Sequence, residues 1–355
     1  MDTDAVRQWL DQRAETHEFS GVALVWRDGA PVFSHAGGLA HRGHGVAVTE
    51  ASRFGVASVT KMVTATTALR LVDRGVLRLD QPLIEVLPAE HQPAALTAER
   101  TLHHLLSHTS GLHNYHDDED QTWGSFTSCW DRIPTYHVRR PADMLPLFKD
   151  LPALGPPGVA YQYADANFIL VSLVIEAVSG KPFVEVAADE VLRPAGMADS
   201  AFDSLDQDPP RLATGYFHTS GPFETWRSNI FSVPANGMAD GGLLTTAADL
   251  ARLIDALRAG RLVSPPTFAA MTAPQGPPAE PVPYAWAYGY GMELVVENGE
   301  VTIFGHGGAD PGVSTLVAHH RAAATTIVVL CNHDRGSWAV NLRLAAALGL
   351  RDPRA

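Results

Sequence analysis

Strand-like segments gather at the two ends of this sequence and are scarce between them. Residues 21–26 and 31–35 read as the two strands of a hairpin turning at Asp28-Gly29, and residues 301–304, 313–319 and 325–331 read as three further strands. Helices are expected at 5–13 and at 339–348. The stretch from roughly 76 to 245 is helical and loop-rich, with Pro-bearing segments at 151–158 and 204–210, and the Pro-rich 274–283 reads as an exposed loop. No internal repeat or low-complexity linker divides the chain. Its 355 residues, 46% hydrophobic and 18% charged, suffice for substantial cores in two packed lobes.

Lysine is rare, with three residues against twenty-three arginines, and one of the three, Lys61, follows Ser58 by three positions. A guanidinium stays protonated, whereas a desolvated amine can lose its proton and act as a base. Val59, Met62, Val63, Leu69, Val72 and Val76 recur mostly at spacings of three and four, so a helix is expected from about Ser58 to Gly75 and beyond. Residues three apart share a helix face, so the Lys61 amine would stand over the Ser58 hydroxyl, among N–H groups that lack an intrahelical partner. The bland alternative is a Ser N-cap followed by a solvated lysine.

Two further segments bear on that choice. Residues 161–168 read Tyr-Gln-Tyr-Ala-Asp-Ala-Asn-Phe ahead of an apolar run, and residues 304–308 read Phe-Gly-His-Gly-Gly after the strand-like 301–303. With residues 21–61, with 103–112 (His-His-Leu-Leu-Ser-His-Thr-Ser-Gly-Leu) and with 241–250, these resemble the serine β-lactamase and penicillin-binding-protein superfamily. The branch resembled is that of class C β-lactamases, D-Ala-D-Ala carboxypeptidases and family VIII carboxylesterases. The resemblance implies an α/β fold with an antiparallel sheet flanked by helices (β-lactamase/transpeptidase-like) and an inserted, mainly helical lobe. Residues 1–75 and 246–355 would form the sheet lobe, residues 76–245 the helical lobe, and the cleft between them the active site.

The same resemblance implies site roles. Ser58 matches the nucleophile, Lys61 the amine of the Ser-x-x-Lys element, Tyr163 the tyrosine of the Tyr-x-Asn element, and His306, Gly307 and Gly308 the Lys-Thr-Gly element. The backbone N–H groups of Ser58 and Ala309 would form the oxyanion hole. Two positions depart from the pattern: Asp165 stands where Asn is usual and His306 where β-lactam-directed members carry lysine. An ionised Asp165 favours the charged form of Lys61, so Tyr163, as a phenolate, becomes a rival proton acceptor, and both remain candidates for the base. His306, largely neutral at pH 7 if unperturbed, would hold a substrate carboxylate less firmly than lysine. Asp165 also fits a helix N-cap, Tyr163 a core aromatic, and His306 a turn residue.

Competing chemistries are weaker. His103, His104, His108, His113 and His116 precede Asp117, Asp118, Glu119 and Asp120, and His104 and His108 have a zinc-compatible spacing, but no His-Glu-x-x-His occurs. No metal or cofactor is expected. Neither a G-x-S-x-G elbow, a Walker loop nor a strand-linked G-x-G-x-x-G is present, and Cys129 and Cys331 alone cannot form a disulfide framework. A net charge of −13 disfavours nucleic acid and anionic membranes as partners. The polar first twenty residues lack a signal-peptide core, which leads to a cytoplasmic expectation. Two loops, 114–136 with Tyr115, Trp123, Phe126 and Trp130, and 217–236 with Phe223, Trp226 and Phe231, are candidate walls for a small-molecule substrate. The expected function is a serine hydrolase working through an acyl-enzyme on Ser58, an esterase or amidase/peptidase on small acyl, D-amino-acid or β-lactam-like substrates. The alternative is a low-turnover penicillin-binding receptor or an inactive interaction module.

Overall fold

A computed structural model describes residues 3–116, 127–219, 225–277 and 285–354. Seven strands form one antiparallel sheet: β1 (Gly21–Arg27), β2 (Ala30–Gly37), β3 (Ala285–Tyr288), β4 (Glu293–Glu297), β5 (Glu300–Asp310), β6 (Val313–His320) and β7 (Thr325–Cys331). They lie in the order β2-β1-β7-β6-β5-β4-β3. The first hairpin therefore joins the C-terminal meander through the β1–β7 pair, in register from Gly21 opposite Cys331 to Arg27 opposite Thr325.

Successive side chains of a strand face opposite ways, and both faces of this sheet are covered. Ala23 and Val25 of β1, with Ile327 and Val329 of β7, face α1 (Thr3–Glu15) and the closing helix Ser337–Ala347, meeting Val6, Leu10, Val340 and Leu344. Val22, Leu24, Trp26, Val328 and Leu330 point the other way, into the main core. That double cover is why β7 is buried at every position and lacks polar alternation.

The main core is built around three helices, α2 (Thr60–Asp73), α3 (Asp165–Ser179) and α4 (Ala247–Arg258). In α2 every residue from Thr60 to Leu69 is buried. Its threonines are accommodated because Thr66 and Thr67 donate to the carbonyls of Met62 and Val63 four residues back, and Thr64 donates to Ala239 O at 2.6 Å. The closing helix is α5 (Ser337–Ala347).

Four expectations are corrected. Helix α2 stops at Asp73, and Gly75, at φ +70°, turns the chain so that Val76 lies outside the helix and is exposed. The strand expected to end at 304 runs on through Gly-His-Gly-Gly to Asp310, because the ladder to β6 continues to the pair Asp310 and Val313. Asp165 is the first residue of α3 and Ala164 its N-cap. The middle of the chain also holds a small hairpin, Tyr216–Thr219 with Thr225–Ser228. Trp123, Phe126 and Phe223, and residues 278–283 of the Pro-rich loop, lie outside the described residues. Among the described residues no helix is long and apolar enough to cross a membrane, and both cysteines are buried and outside any disulfide.

Candidate active site

Ser58 sits on a 3-10 turn, Ala57–Val59, that feeds directly into α2. The turn is pinned on both sides. Phe54–Gly55 pairs with Leu244–Thr245, and the Leu243 N–H donates to Thr60 Oγ1 at 3.1 Å. Ala57 has φ +47°, a region that residues with a Cβ rarely adopt, so the turn is held strained by its surroundings. β5 passes close against it: a Cβ on Gly308 would lie 2.3 Å from Val56 O and 3.2 Å from Ser58 N. Only glycine lets strand and turn approach this far. Ser58 is half-buried at the wall of a cavity of about 520 Å³.

Lys61 is wholly buried, and its three N–H donors all have acceptors: Ser58 Oγ at 3.0 Å, Asp240 O at 2.9 Å, and the Asp165 carboxylate in a short contact. The Asp165 carboxylate also accepts from His116 Nε2 at 2.7 Å. Burial alone would raise the Asp165 carboxyl, but Lys61 and His116 together outweigh it and hold the group well below the usual carboxylate range. Asp240 is raised by burial and by the Asp165 charge, and its Oδ2 accepts from the Tyr115 hydroxyl at 2.5 Å.

Tyr163 lies against this pair, with Lys61 Nζ 5.0 Å from its ring centre. Burial and the Asp165 charge push its phenol well above the ordinary tyrosine value. That shift favours the protonated phenol at rest. His108 stacks on the Tyr163 ring, centroids 4.2 Å apart, and its Nδ1 accepts from the Ala164 N–H at 3.1 Å, so the ring is neutral with its proton on Nε2.

On the strand side, His306 is 1% exposed. Burial lowers its imidazole, whose Nε2 accepts from the Tyr288 hydroxyl at 2.8 Å, while Nδ1 donates to Gly307 O. Both ring nitrogens are thus engaged within the protein. Gly307 N–H points off the β5 edge to Glu293 Oε2 at 3.0 Å, where β4 ends. Ala309, two residues on, directs its N–H off the same edge, past the end of β4 and alongside the Ser58 turn.

The cavity is also walled by Asp240, Asp310, Tyr115, Trp130 and Ile230. Asp310 is pushed up to about 8 by burial and by the Asp165 and Asp240 charges. Local sequence does not single out Asp240 and Asp310; it offers Tyr115 only as a candidate wall, a place it takes here, and His116 only within the histidine cluster. Of the five clustered histidines, His103 bonds Tyr290 Oη, His104 closes the capping box of the helix Leu102–Leu106, and His108 and His116 serve the Tyr163 and Asp165 contacts. Among the described residues no group of three side chains could hold a metal.

A buried lysine bonded to a half-exposed serine beside glycine-rich strand edges is the arrangement that comparison with known proteins bears on. The Beta-lactamase family profile matches residues 6–350. The chain belongs to the Beta-lactamase family. Within that family it is similar to an esterase, EstB of Burkholderia gladioli, at 32% identity over 313 residues, covering 79% of this chain and 77% of that protein. A D-aminopeptidase of Cereibacter sphaeroides is 28% identical over all of this chain, which spans 65% of that relative. The solved structure of a penicillin-binding protein from Bacillus halodurans superposes with a TM-score of 0.87 at 33% identity, covering 95% of this chain and 99% of that one. The protein is accordingly a serine hydrolase of the Beta-lactamase family.

Proposed function

We propose that the protein hydrolyses small esters or amides through an acyl-enzyme on Ser58. The observation that carries the reading is the bond from wholly buried Lys61 Nζ to Ser58 Oγ, 3.0 Å, at the wall of an open cavity. The three donor contacts are those of the Lys61 ammonium, so acylation starts once that ammonium has released a proton to solvent, and the neutral amine then takes the hydroxyl proton as Oγ attacks the carbonyl carbon. The N–H groups of Ser58 and Ala309 receive the oxyanion, each such donor contributing about 3 kcal/mol. Tyr163 gives its phenolic proton to the leaving group as the acyl bond breaks, leaving a phenolate paired with the Lys61 ammonium. In deacylation the phenolate takes a proton from water, the water oxygen attacks the acyl carbon, and Ser58 Oγ departs with the proton returned by Lys61. The neutral-amine state from which acylation began is restored with no net change in charge.

The cavity walls favour substrates that are neutral or carry an amino group over those that carry a carboxylate. Asp165 and Asp240 reach it, Asp310 beside them is held uncharged below about pH 8, and the position that would meet a carboxylate, His306, is neutral and bonded to Tyr288. Amino-acid amides and short acyl esters therefore fit the site better than penicillins, in keeping with relatives named as an esterase and a D-aminopeptidase. The test is Ser58→Ala assayed with a p-nitrophenyl acyl ester and an amino-acid p-nitroanilide. Turnover should fall by about 10⁴-fold or more, as expected for loss of a nucleophile. Unchanged hydrolysis of both probes would sink the reading.

A further inference from the structure

Three consecutive residues, Asn114, Tyr115 and His116, converge on the layer behind Lys61. Asn114 Oδ1 accepts from the Ala166 N–H at 3.2 Å in the first turn of α3. Tyr115 donates to Asp240 Oδ2 at 2.5 Å, and His116 Nε2 donates to Asp165 Oδ2 at 2.7 Å. The other oxygen of Asp165 faces Lys61. Ser58, Lys61, Asp165 and His116 thus form one continuous chain of contacts, and the His116 and Asp165 side chains are 5% and 8% exposed.

A carboxylate in contact with an ammonium out of water opposes loss of the ammonium proton, and the opposition weakens when a second donor takes up part of the carboxylate charge. We propose that His116 is a positioning residue for the Ser58–Lys61 pair, acting through Asp165: by occupying Oδ2 it reduces the charge that Lys61 feels and so eases formation of the neutral amine that accepts the serine proton. No bond to substrate is involved. The inference rests on the hydrolase reading above. It also gives Asp165 and His116 a joint meaning, since an asparagine at 165 would leave His116 nothing to offset.

The test is a cycle of parent, His116→Ala, Asp165→Asn and the double variant, read as kcat and KM for a p-nitrophenyl acyl ester and as the rate of Ser58 labelling by a fluorophosphonate, checked by mass spectrometry. His116→Ala should lower kcat and the labelling rate about tenfold, a coupling typical of directly bonded groups, with KM within about twofold. In the Asp165→Asn background the same substitution should change kcat by less than about twofold. His116→Gln, which restores a neutral N–H donor, should recover part of the loss, and it replaces the alanine variant in the cycle if circular dichroism shows that variant unfolded. An equal loss in both backgrounds, an effect on KM alone, or no loss at all overturns the inference while leaving the hydrolase reading intact. Failure of parent Ser58 to take the label brings down both.

Discussion

On the helix side of Ser58 an ammonium and a carboxylate, Lys61 and Asp165, lie in contact out of water, while on the strand side, equally enclosed, His306 and Tyr288 lie in contact without charge. The first pair is costly to bury and is kept because every donor and both carboxylate oxygens are used. The second avoids that cost by staying neutral. The charged pair therefore lies where Lys61 touches the Ser58 oxygen, while the strand side sets a neutral pair beside the Glu293 carboxylate and contributes backbone N–H groups and shape.

The contrast is broken most severely at Lys61. Lys61→Met should abolish ester turnover and, by leaving Asp165 buried without its cation, destabilise the fold by about 3–5 kcal/mol in urea denaturation. Adding Asp165→Asn should restore much of that stability and none of the activity. If the single variant is as stable as the parent, the buried pair is not under the tension described. On the strand side the strongest lever is Gly308→Ala, since the new Cβ would lie 2.3 Å from Val56 O. Overpacking of this kind costs about 1–3 kcal/mol, and separation of strand and turn should also depress kcat; a thermal melt and an ester assay check both.

Asp310 sharpens the comparison through pH. Its carboxyl, raised to about 8 by burial and by Asp165 and Asp240, binds a proton in the fold that it has lost in the unfolded chain above about pH 4. The stabilisation it offers is complete below that value and is lost as pH rises through about 8. Denaturant titrations at about pH 5 and about pH 9 should show Asp310→Asn losing less stability across the interval than the parent. Equal slopes would place the carboxyl in an ordinary range. The smallest effect on activity is expected at His306: His306→Gln should leave kcat/KM within about threefold for a neutral ester. A loss as large as that at Lys61 would give the strand side a chemical role.

The Ser58–Lys61 contact was legible because three residues on a helix return to one face, a local rule that tertiary packing did not disturb. Tyr163 and the Gly-His-Gly-Gly strand were legible through the resemblance. The course of that strand was not, since three glycines argue against a strand and only the ladder to β6 overrides them. Asp165 suited an N-cap by type, but its partners Lys61 and His116 lie 104 and 49 positions away. The Tyr115–Asp240 bond spans 125 positions and leaves no periodic trace in either segment. Such pairings are set by the way loops cross the cleft, which spacing alone does not encode.

The pairing of β1 with β7 has a consequence for how the molecule comes into being. The Arg27 side chain bonds Thr325 across 298 positions, and the whole register between those strands spans a comparable distance. On a ribosome the first hairpin would emerge with an open edge long before the strand that seals it has been made. Contacts so distant in sequence slow folding and leave apolar edges exposed meanwhile. The nucleophile turn, pressed against β5 through Gly308, can then take its working shape only after β5 has been made, so that a chain interrupted before it would carry Ser58 without the ability to use it.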